Sequence, residues 1–95
     1  MTAEVETHSL LDAFKERMRI FHDGEDANLS RMLESSEQAI FQTVGTTNQN
    51  PRVRELILER ARYAYNDQVE FFYQNFQGDL MALSLENYKL EEIDD

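Results

Sequence analysis

The chain has 95 residues, of which 41% are hydrophobic and 11% aromatic, so it is long enough to bury one modest core and apolar enough to fold. It contains no cysteine, which excludes disulfides and thiolate metal sites, and only three glycines and one proline, which are too few for the many turns of a β-sandwich. The formal net charge is −10, and the sequence shows no basic face of the kind that binds nucleic acid or anionic membranes.

The acidic residues are unevenly distributed along the chain. Residues 1–46 hold nine acids against four bases, residues 47–76 hold four against four, and residues 77–95 hold six against one. We expect a single domain over residues 1–95, with a flexible lead-in at 1–8 and an acidic tail at 89–95. No apolar run reaches transmembrane length and the N-terminal segment is acidic, which predicts an intracellular protein.

Two helices are predicted in the first half of the chain. The first covers residues 9–21, and the acidic segment 22–26 then suits the N-terminus of a second helix over 25–44. Gly45 is placed to end the second helix in a left-handed conformation. The apolar residues of the first helix recur at helical spacing, which predicts one buried face: Leu10, Leu11, Phe14, Met18 and Phe21.

A long third helix is predicted over residues 51–76, with Asn50 as its N-cap and Pro51 at its first position. Its apolar residues form two stripes rather than one, and a second stripe indicates either more core or a surface for a partner. The first stripe contains Val53, Leu56, Ile57, Ala61, Ala64 and Phe71, and the second contains Leu58, Tyr65, Val69, Phe72 and Phe76.

The segment after the third helix has an ambiguous pattern. Leu80 and Leu83 fit helical spacing, whereas Met81, Leu83 and Leu85 alternate as they would in a strand. We expect a short C-terminal helix or arm, which makes the predicted fold all-α with three main helices.

Arg60 interrupts the first stripe between Leu56 and Ala64. One interpretation is an arginine whose aliphatic stem packs while its guanidinium reaches water. The alternative is a buried or interfacial ion pair with a carboxylate of another helix or subunit. In the second case Arg60→Ala is expected to destabilise the fold or the assembly more than Arg62→Ala, because Arg62 lies on a polar face.

The chain carries no recognisable catalytic or cofactor motif. His8 and His22 are fourteen residues apart with no further ligands at matched spacing, so we interpret them as surface or capping residues rather than metal ligands. There is no glycine-rich phosphate loop and no nucleophile elbow. The sequence therefore predicts a protein that is not an enzyme and needs no metal or cofactor.

Four landmarks follow one another along residues 9–75: a helix ending at Met18, Arg19 and Ile20, the acidic segment 22–26, a helix closing at Val44 and Gly45, and a helix that is led by Pro51 and carries Tyr63 and Tyr65. This order resembles the head–tail connector family of tailed bacteriophages, which are small α-helical adaptor proteins. The resemblance rests on the order and pattern of segments and does not extend to the residues after 75.

The resemblance implies a ring of copies beneath the portal of a DNA-filled capsid, and a ring requires two different faces on each subunit. The implied partners are other copies, the portal protein and the next head-completion or tail protein, while DNA passes through the lumen without specific binding and no membrane is involved. The implied location is the virion neck, and before assembly the bacterial cytoplasm. The Thr46–Asn50 loop is expected near the lumen or the next ring. The predicted subunit interface contains Leu58, Arg60, Tyr65, Phe72 and Phe76, and the predicted portal-binding arm contains Leu80, Leu83, Leu85 and Tyr88.

A second class of function remains open, namely a small acidic inhibitor that mimics DNA and binds a nucleic-acid-binding protein. Its size and charge suit that role, but a mimic needs carboxylates spread along one exposed face. The predicted third helix is instead charge-balanced.

Overall fold

A computed structural model describes residues 7–47 and 49–93, and in these ranges the chain is helical without a strand, which confirms the predicted all-α class. The predicted lead-in and acidic tail fall partly on residues 1–6 and 94–95, outside the described ranges. Within those ranges the chain forms five helices, where three and a short C-terminal helix or arm were predicted: α1 Leu11–Met18, α2 Asp26–Val44, α3 Pro51–Tyr65, α4 Val69–Asn75 and α5 Gln77–Ile93.

The first helix is shorter than predicted because the chain turns out of it at Arg19. Arg19 has a left-handed backbone with a φ of 60°, and the N–H of Ile20 donates to the carbonyl oxygen of Lys15. This is the hydrogen-bond pattern of a Schellman motif, which ends a helix. The prediction placed Phe21 on the buried face of α1. Because the helix ends before it, Phe21 is instead 85% exposed.

The second helix and the start of the third agree with the prediction. Gly45 ends α2 with a φ of 78°, and its N–H donates to the carbonyl oxygen of Phe41. Asn50 caps α3, because its side-chain oxygen accepts a hydrogen bond of 2.9 Å from the N–H of Val53. α2 and α3 form the centre of the bundle, and their fully buried residues include Leu29, Leu33, Ser36, Ile40, Val44, Val53, Ile57 and Ala61.

The predicted continuous helix over 51–76 is wrong, because the chain bends at Asp67. Asp67 has a φ of 58°, its N–H donates to the carbonyl oxygen of Ala64, and the N–H of Gln68 donates to that of Tyr63. This second Schellman motif ends α3, and α4 then packs back against α3. The two predicted stripes therefore do not run along one helix. Leu58 and Phe72 both belong to the core of the monomer.

The predicted short C-terminal helix or arm is a helix, α5, but it is longer than expected, with 17 residues, and it packs against α2 and α4. Leu80 and Leu83 are buried in the same core as the residues of α2 and α3. The side-chain amide of Asn87 donates a hydrogen bond of 2.6 Å to the carbonyl oxygen of Val44, at the last residue of α2. These contacts make α5 part of the folded domain.

Candidate interaction surfaces

The predicted subunit-interface residues do not form one exposed patch. Leu58 and Phe72 are only 4% and 0% exposed, so neither is available to a second molecule. Arg60, Tyr65 and Phe76 are partly exposed, but Phe76 lies between α4 and α5, away from α3 in the sequence. On α3, Arg60 and Tyr65 bond to different neighbours. The bend at Asp67 is the physical reason, because it directs the aromatic residues of α4 back towards Tyr63, whose ring lies 5.9 Å from that of Phe72.

Arg60 does not form the ion pair of the second interpretation, and this partly exposed residue donates to neutral side chains instead. Its Nε donates a hydrogen bond of 2.9 Å to the hydroxyl of Tyr73, and its Nη1 donates one of 3.1 Å to Oγ of Ser36. Among the described residues it forms no ion pair. Ser36 is fully buried. Arg60 is therefore a polar link that joins α2, α3 and α4.

Tyr65 connects the end of α3 to the beginning of α2. Its hydroxyl donates a hydrogen bond of 3.2 Å to Oε2 of Glu25. Burial and then the neighbouring carboxylate raise the pKa of Tyr65, because both disfavour the phenolate. Its polar end is therefore already engaged within the monomer.

The four predicted arm residues lie on two different sides of α5. Leu80 and Leu83 point into the core with exposures of 5% and 3%, whereas Leu85 and Tyr88 are 58% and 60% exposed. Met81 is exposed as well and precedes Leu85 by four residues, which is one helical turn. Met81, Leu85 and Tyr88 form an exposed apolar row that we call the α5 stripe.

A shallow groove of about 550 Å³ lies beside the α5 stripe, and we call it the α2–α5 groove. Its lining is a mixture of apolar and neutral polar side chains, and none of the described lining residues is charged. Although the chain as a whole is acidic, this surface carries no charge that would repel an acidic partner. The lining residues are Thr43, Tyr73, Gln74, Gln77, Leu80, Met81, Ser84 and Leu85.

A second groove, of about 330 Å³, flanks another side of α5, and we call it the α3–α5 groove. Leu56, Phe76 and Leu83 provide its apolar walls. Of these, Phe76 was predicted to belong to the subunit interface. Its remaining lining residues are Pro51, Arg52, Glu55 and Asp79. The two grooves share no lining residue.

Both carboxylates of α3, Glu55 and Glu59, are paired with arginines. Arg17 of α1 holds Glu55 through two hydrogen bonds of 2.8 and 2.9 Å, and its Nη1 lies 2.7 Å from Glu59. Arg62 also donates to Glu59. Hydrogen bonds from Arg17 lower the pKa of Glu55, and those from Arg62 and then Arg17 lower the pKa of Glu59. This pairing removes the row of free carboxylates along α3 that a DNA mimic would need.

His8, Glu34 and Glu37 bring possible metal-ligand atoms within 4.8 Å of one another. The hydrogen bonds of His8 argue against a metal site. Its Nδ1 accepts the N–H of Leu10 at 3.0 Å, so the ring proton lies on Nε2, which donates to Oε1 of Glu37 at 2.9 Å. A metal ion on Nε2 would require that proton to move to Nδ1, where the N–H of Leu10 already points. The residues present therefore fit a hydrogen-bonded turn before α1 better than a metal site.

Neither a family model, nor a curated protein, nor a solved structure matches this chain. Within the described ranges, no helix is both long enough and apolar enough to cross a membrane.

Proposed function

We propose that this chain is a non-enzymatic structural adaptor of a phage or prophage, whose copies form a ring that links the capsid portal to the tail during virion assembly. The observation that carries this proposal is the α5 stripe, because Met81, Leu85 and Tyr88 are each more than half exposed although α5 is packed into the domain. Contiguous exposed apolar side chains mark sites of protein–protein interaction.

The position of α5 makes it a suitable docking element. Leu80 and Leu83 anchor its inner side in the core, and Asn87 ties it to the end of α2. The outer side is therefore presented in a fixed orientation, which lowers the entropy lost when a partner binds. In this proposal Leu85 and Tyr88 remain the contacts for the portal protein, and the buried Leu80 and Leu83 act as their support.

The proposed subunit interface is revised in the same way. Leu58 and Phe72 stabilise the monomer and are not part of the interface, because they are buried within one chain. Phe76 remains, because it lines the open α3–α5 groove. The stripe and the separate groove give the subunit two different surfaces, so it can contact the portal protein at one and a neighbouring copy at the other.

The charge of the chain is compatible with a ring around DNA. Several arginines are already occupied, since Arg17, Arg52 and Arg62 each pair with a carboxylate of the same chain. With a net charge of −10, the assembled ring would repel DNA rather than hold it. In this proposal DNA passes through the lumen without specific binding, and the protein works in the virion neck after assembly in the bacterial cytoplasm.

The proposal is tested by measuring the molar mass of the purified chain with size-exclusion chromatography and light scattering over a range of protein and salt concentrations. The expected result is a discrete high-order oligomer, which electron microscopy should resolve as a closed ring with rotational symmetry. A monomer at every concentration and salt, or an irregular aggregate without symmetry, would contradict self-assembly into a ring.

A further inference from the structure

Phe21 is an apolar side chain that the fold turns outward. The left-handed backbone of Arg19 ends α1, after which Ile20 packs against the core and Phe21 is 85% exposed. An exposed phenylalanine on a loop between two helices contributes no core packing and leaves its whole ring in water. Such a side chain is suited to insertion into a pocket of another molecule.

The α3–α5 groove offers a pocket of matching character on the same chain. Its walls of Leu56, Phe76 and Leu83 are apolar, and its volume of about 330 Å³ exceeds that of a phenylalanine side chain. The aromatic ring of Phe76 provides a surface against which a second ring can pack edge to face. The groove is open to solvent, so that a side chain can enter it from outside.

The charges next to these two features are complementary. Arg19 lies two residues before Phe21, and Asp79 lines the α3–α5 groove; both are exposed. In the described part of the chain neither of them forms an ion pair. The other two charged residues of the groove are already paired, Glu55 with Arg17 and Arg52 with Glu86. Asp79 is therefore the charge in the groove that remains open to a partner.

We propose that Phe21 of one copy inserts into the α3–α5 groove of a second copy, with Arg19 of the first facing Asp79 of the second. This inference rests on the proposed ring, and it names the contact between its subunits. Within one chain Phe21 is 85% exposed and does not occupy the groove, although Arg17 near the end of α1 holds Glu55 at the groove's edge, so the Phe21 side chain and the groove remain two different features of the subunit. Each copy can thus donate Phe21 to one neighbour and accept Phe21 from the other, which is a heterologous contact.

The contact leaves the α5 stripe free. The α3–α5 groove and the α2–α5 groove lie on different sides of α5, and Met81 and Leu85 line only the second. A subunit can therefore bind its neighbours and a different protein at the same time. A single aromatic anchor and one ion pair make a small interface, so that closure of the ring, rather than any one contact, supplies most of the stability.

Charge reversal tests the contact directly. Light scattering is carried out on the full-length chain and on variants Phe21→Ser, Arg19→Asp, Asp79→Arg and the double variant Arg19→Asp/Asp79→Arg. We expect Phe21→Ser to raise the concentration needed for assembly roughly 30-fold or more, which is the usual effect of removing an aromatic anchor from an interface. Each single reversal should weaken assembly, and the double variant should restore it because the pair is re-formed with its signs exchanged. Circular dichroism checks that every variant stays folded.

Cysteine cross-linking provides a second readout that also detects a weak contact. Because the chain has no cysteine, Arg19→Cys and Asp79→Cys introduce the only thiols in their respective variants. An oxidised mixture of the two should form a 19–79 disulfide between different copies. The Phe21→Ser change should suppress that disulfide, and a mixture of Arg19→Cys with Ser35→Cys, an exposed position on α2, should not form a mixed disulfide.

The outcomes separate this inference from the proposed function. A wild-type ring without a 19–79 disulfide, and with unchanged assembly in Phe21→Ser, would overturn the Phe21 contact and leave the ring adaptor standing. A 19–79 disulfide in open chains that never close would support the contact and overturn the ring. The absence of both oligomer and disulfide would overturn both.

Discussion

The side-chain amide of Asn87 donates a hydrogen bond to the carbonyl oxygen of Val44, and this bond fixes the last helix to the end of α2. Carbonyl groups in the last turn of a helix have no partner within the helix, so the amide satisfies a group that would otherwise depend on water. The bond links residues 43 positions apart in the sequence.

Asn87→Ala should therefore lower the free energy of unfolding by about 1 kcal/mol, the usual contribution of one hydrogen bond. The measurement is urea unfolding followed by circular dichroism. Asn28→Ala makes the same change at an exposed position of α2 and serves as the control. Equal effects of the two substitutions would mean that the bond to Val44 contributes nothing.

The two sides of α5 should respond differently to the same substitution. Leu83→Ala removes buried methyl groups from the core and should cost about 2–5 kcal/mol of unfolding free energy. Leu85→Ala changes an exposed residue and should stay within about 0.5 kcal/mol of the wild type. Thermal unfolding of both variants compares them at neighbouring positions of one helix. A large loss of unfolding free energy for Leu85→Ala would mean that Leu85 faces the core, contrary to the structure.

Arg60→Ala should destabilise the monomer more than Arg62→Ala. Arg60 donates to Tyr73 and to the buried Ser36, and hydrogen bonds of charged groups contribute about 1.5–3 kcal/mol. Arg62 forms a partly exposed pair with Glu59, and such pairs contribute about 0–1 kcal/mol. Urea unfolding of the two variants gives the comparison, and equal small losses would show that the link through Arg60 is unimportant.

Stability should fall in acid because of Glu55 and Glu59. Their arginine partners lower the pKa of both carboxyls below the ordinary value of 4.5, so the folded state binds protons less readily than the unfolded chain. The contribution is fully present above that ordinary value and is lost as the pH falls through the lowered values. Arg17→Gln should make the loss less steep, whereas Arg31→Gln, at an exposed residue of α2, should leave it unchanged. Urea unfolding at a series of acid pH values checks this, and identical slopes in both variants would contradict it.

His8 should stabilise the turn before α1 and should not act as a metal ligand. An excess of Zn²⁺ should leave the melting temperature unchanged, because Nδ1 accepts the N–H of Leu10 and Nε2 donates its proton to Glu37. His8→Ala should lower the melting temperature because the N–H of Leu10 loses its partner. His8→Asn should lower it less, because the asparagine side chain can still accept that N–H. A rise in melting temperature with Zn²⁺ that disappears in Glu37→Ala would instead identify a metal site.

The helix ends show which parts of the fold could be predicted from the sequence. Glycine marks the end of α2 at Gly45, and there the prediction agrees with the structure. The ends of α1 and α3 have the same left-handed geometry at Arg19 and Asp67. A residue such as Arg19 normally disfavours it at a cost of about 1–2 kcal/mol, whereas an aspartate such as Asp67 tolerates it better. At Arg19 no local pattern predicts this geometry, whereas Asn66 and Asp67 are a turn-favouring pair that the prediction from helical spacing did not use. The predicted helix over 51–76 failed for this reason.

The candidate surfaces were predicted less completely than the fold. Helical spacing identified the residues of α5 but not which of them would face inward, because that depends on where α2 lies. Helical spacing also assigned Phe21 to a buried face, because the prediction extended α1 past Arg19, where the helix in fact ends. The ion pairs of Arg17 with α3 connect residues 38 and 42 positions apart, and no pattern within one helix could reveal them.

The docking of α5 on α2 has a consequence for synthesis of the protein on the ribosome. Leu80 and Leu83 complete the core, and they are translated long after the residues of α2 that they accompany. Until α5 emerges, the growing chain exposes the apolar surface that these two leucines later cover. A growing chain without α5 therefore presents that apolar surface to water, which favours association with other apolar surfaces until Leu80 and Leu83 cover it.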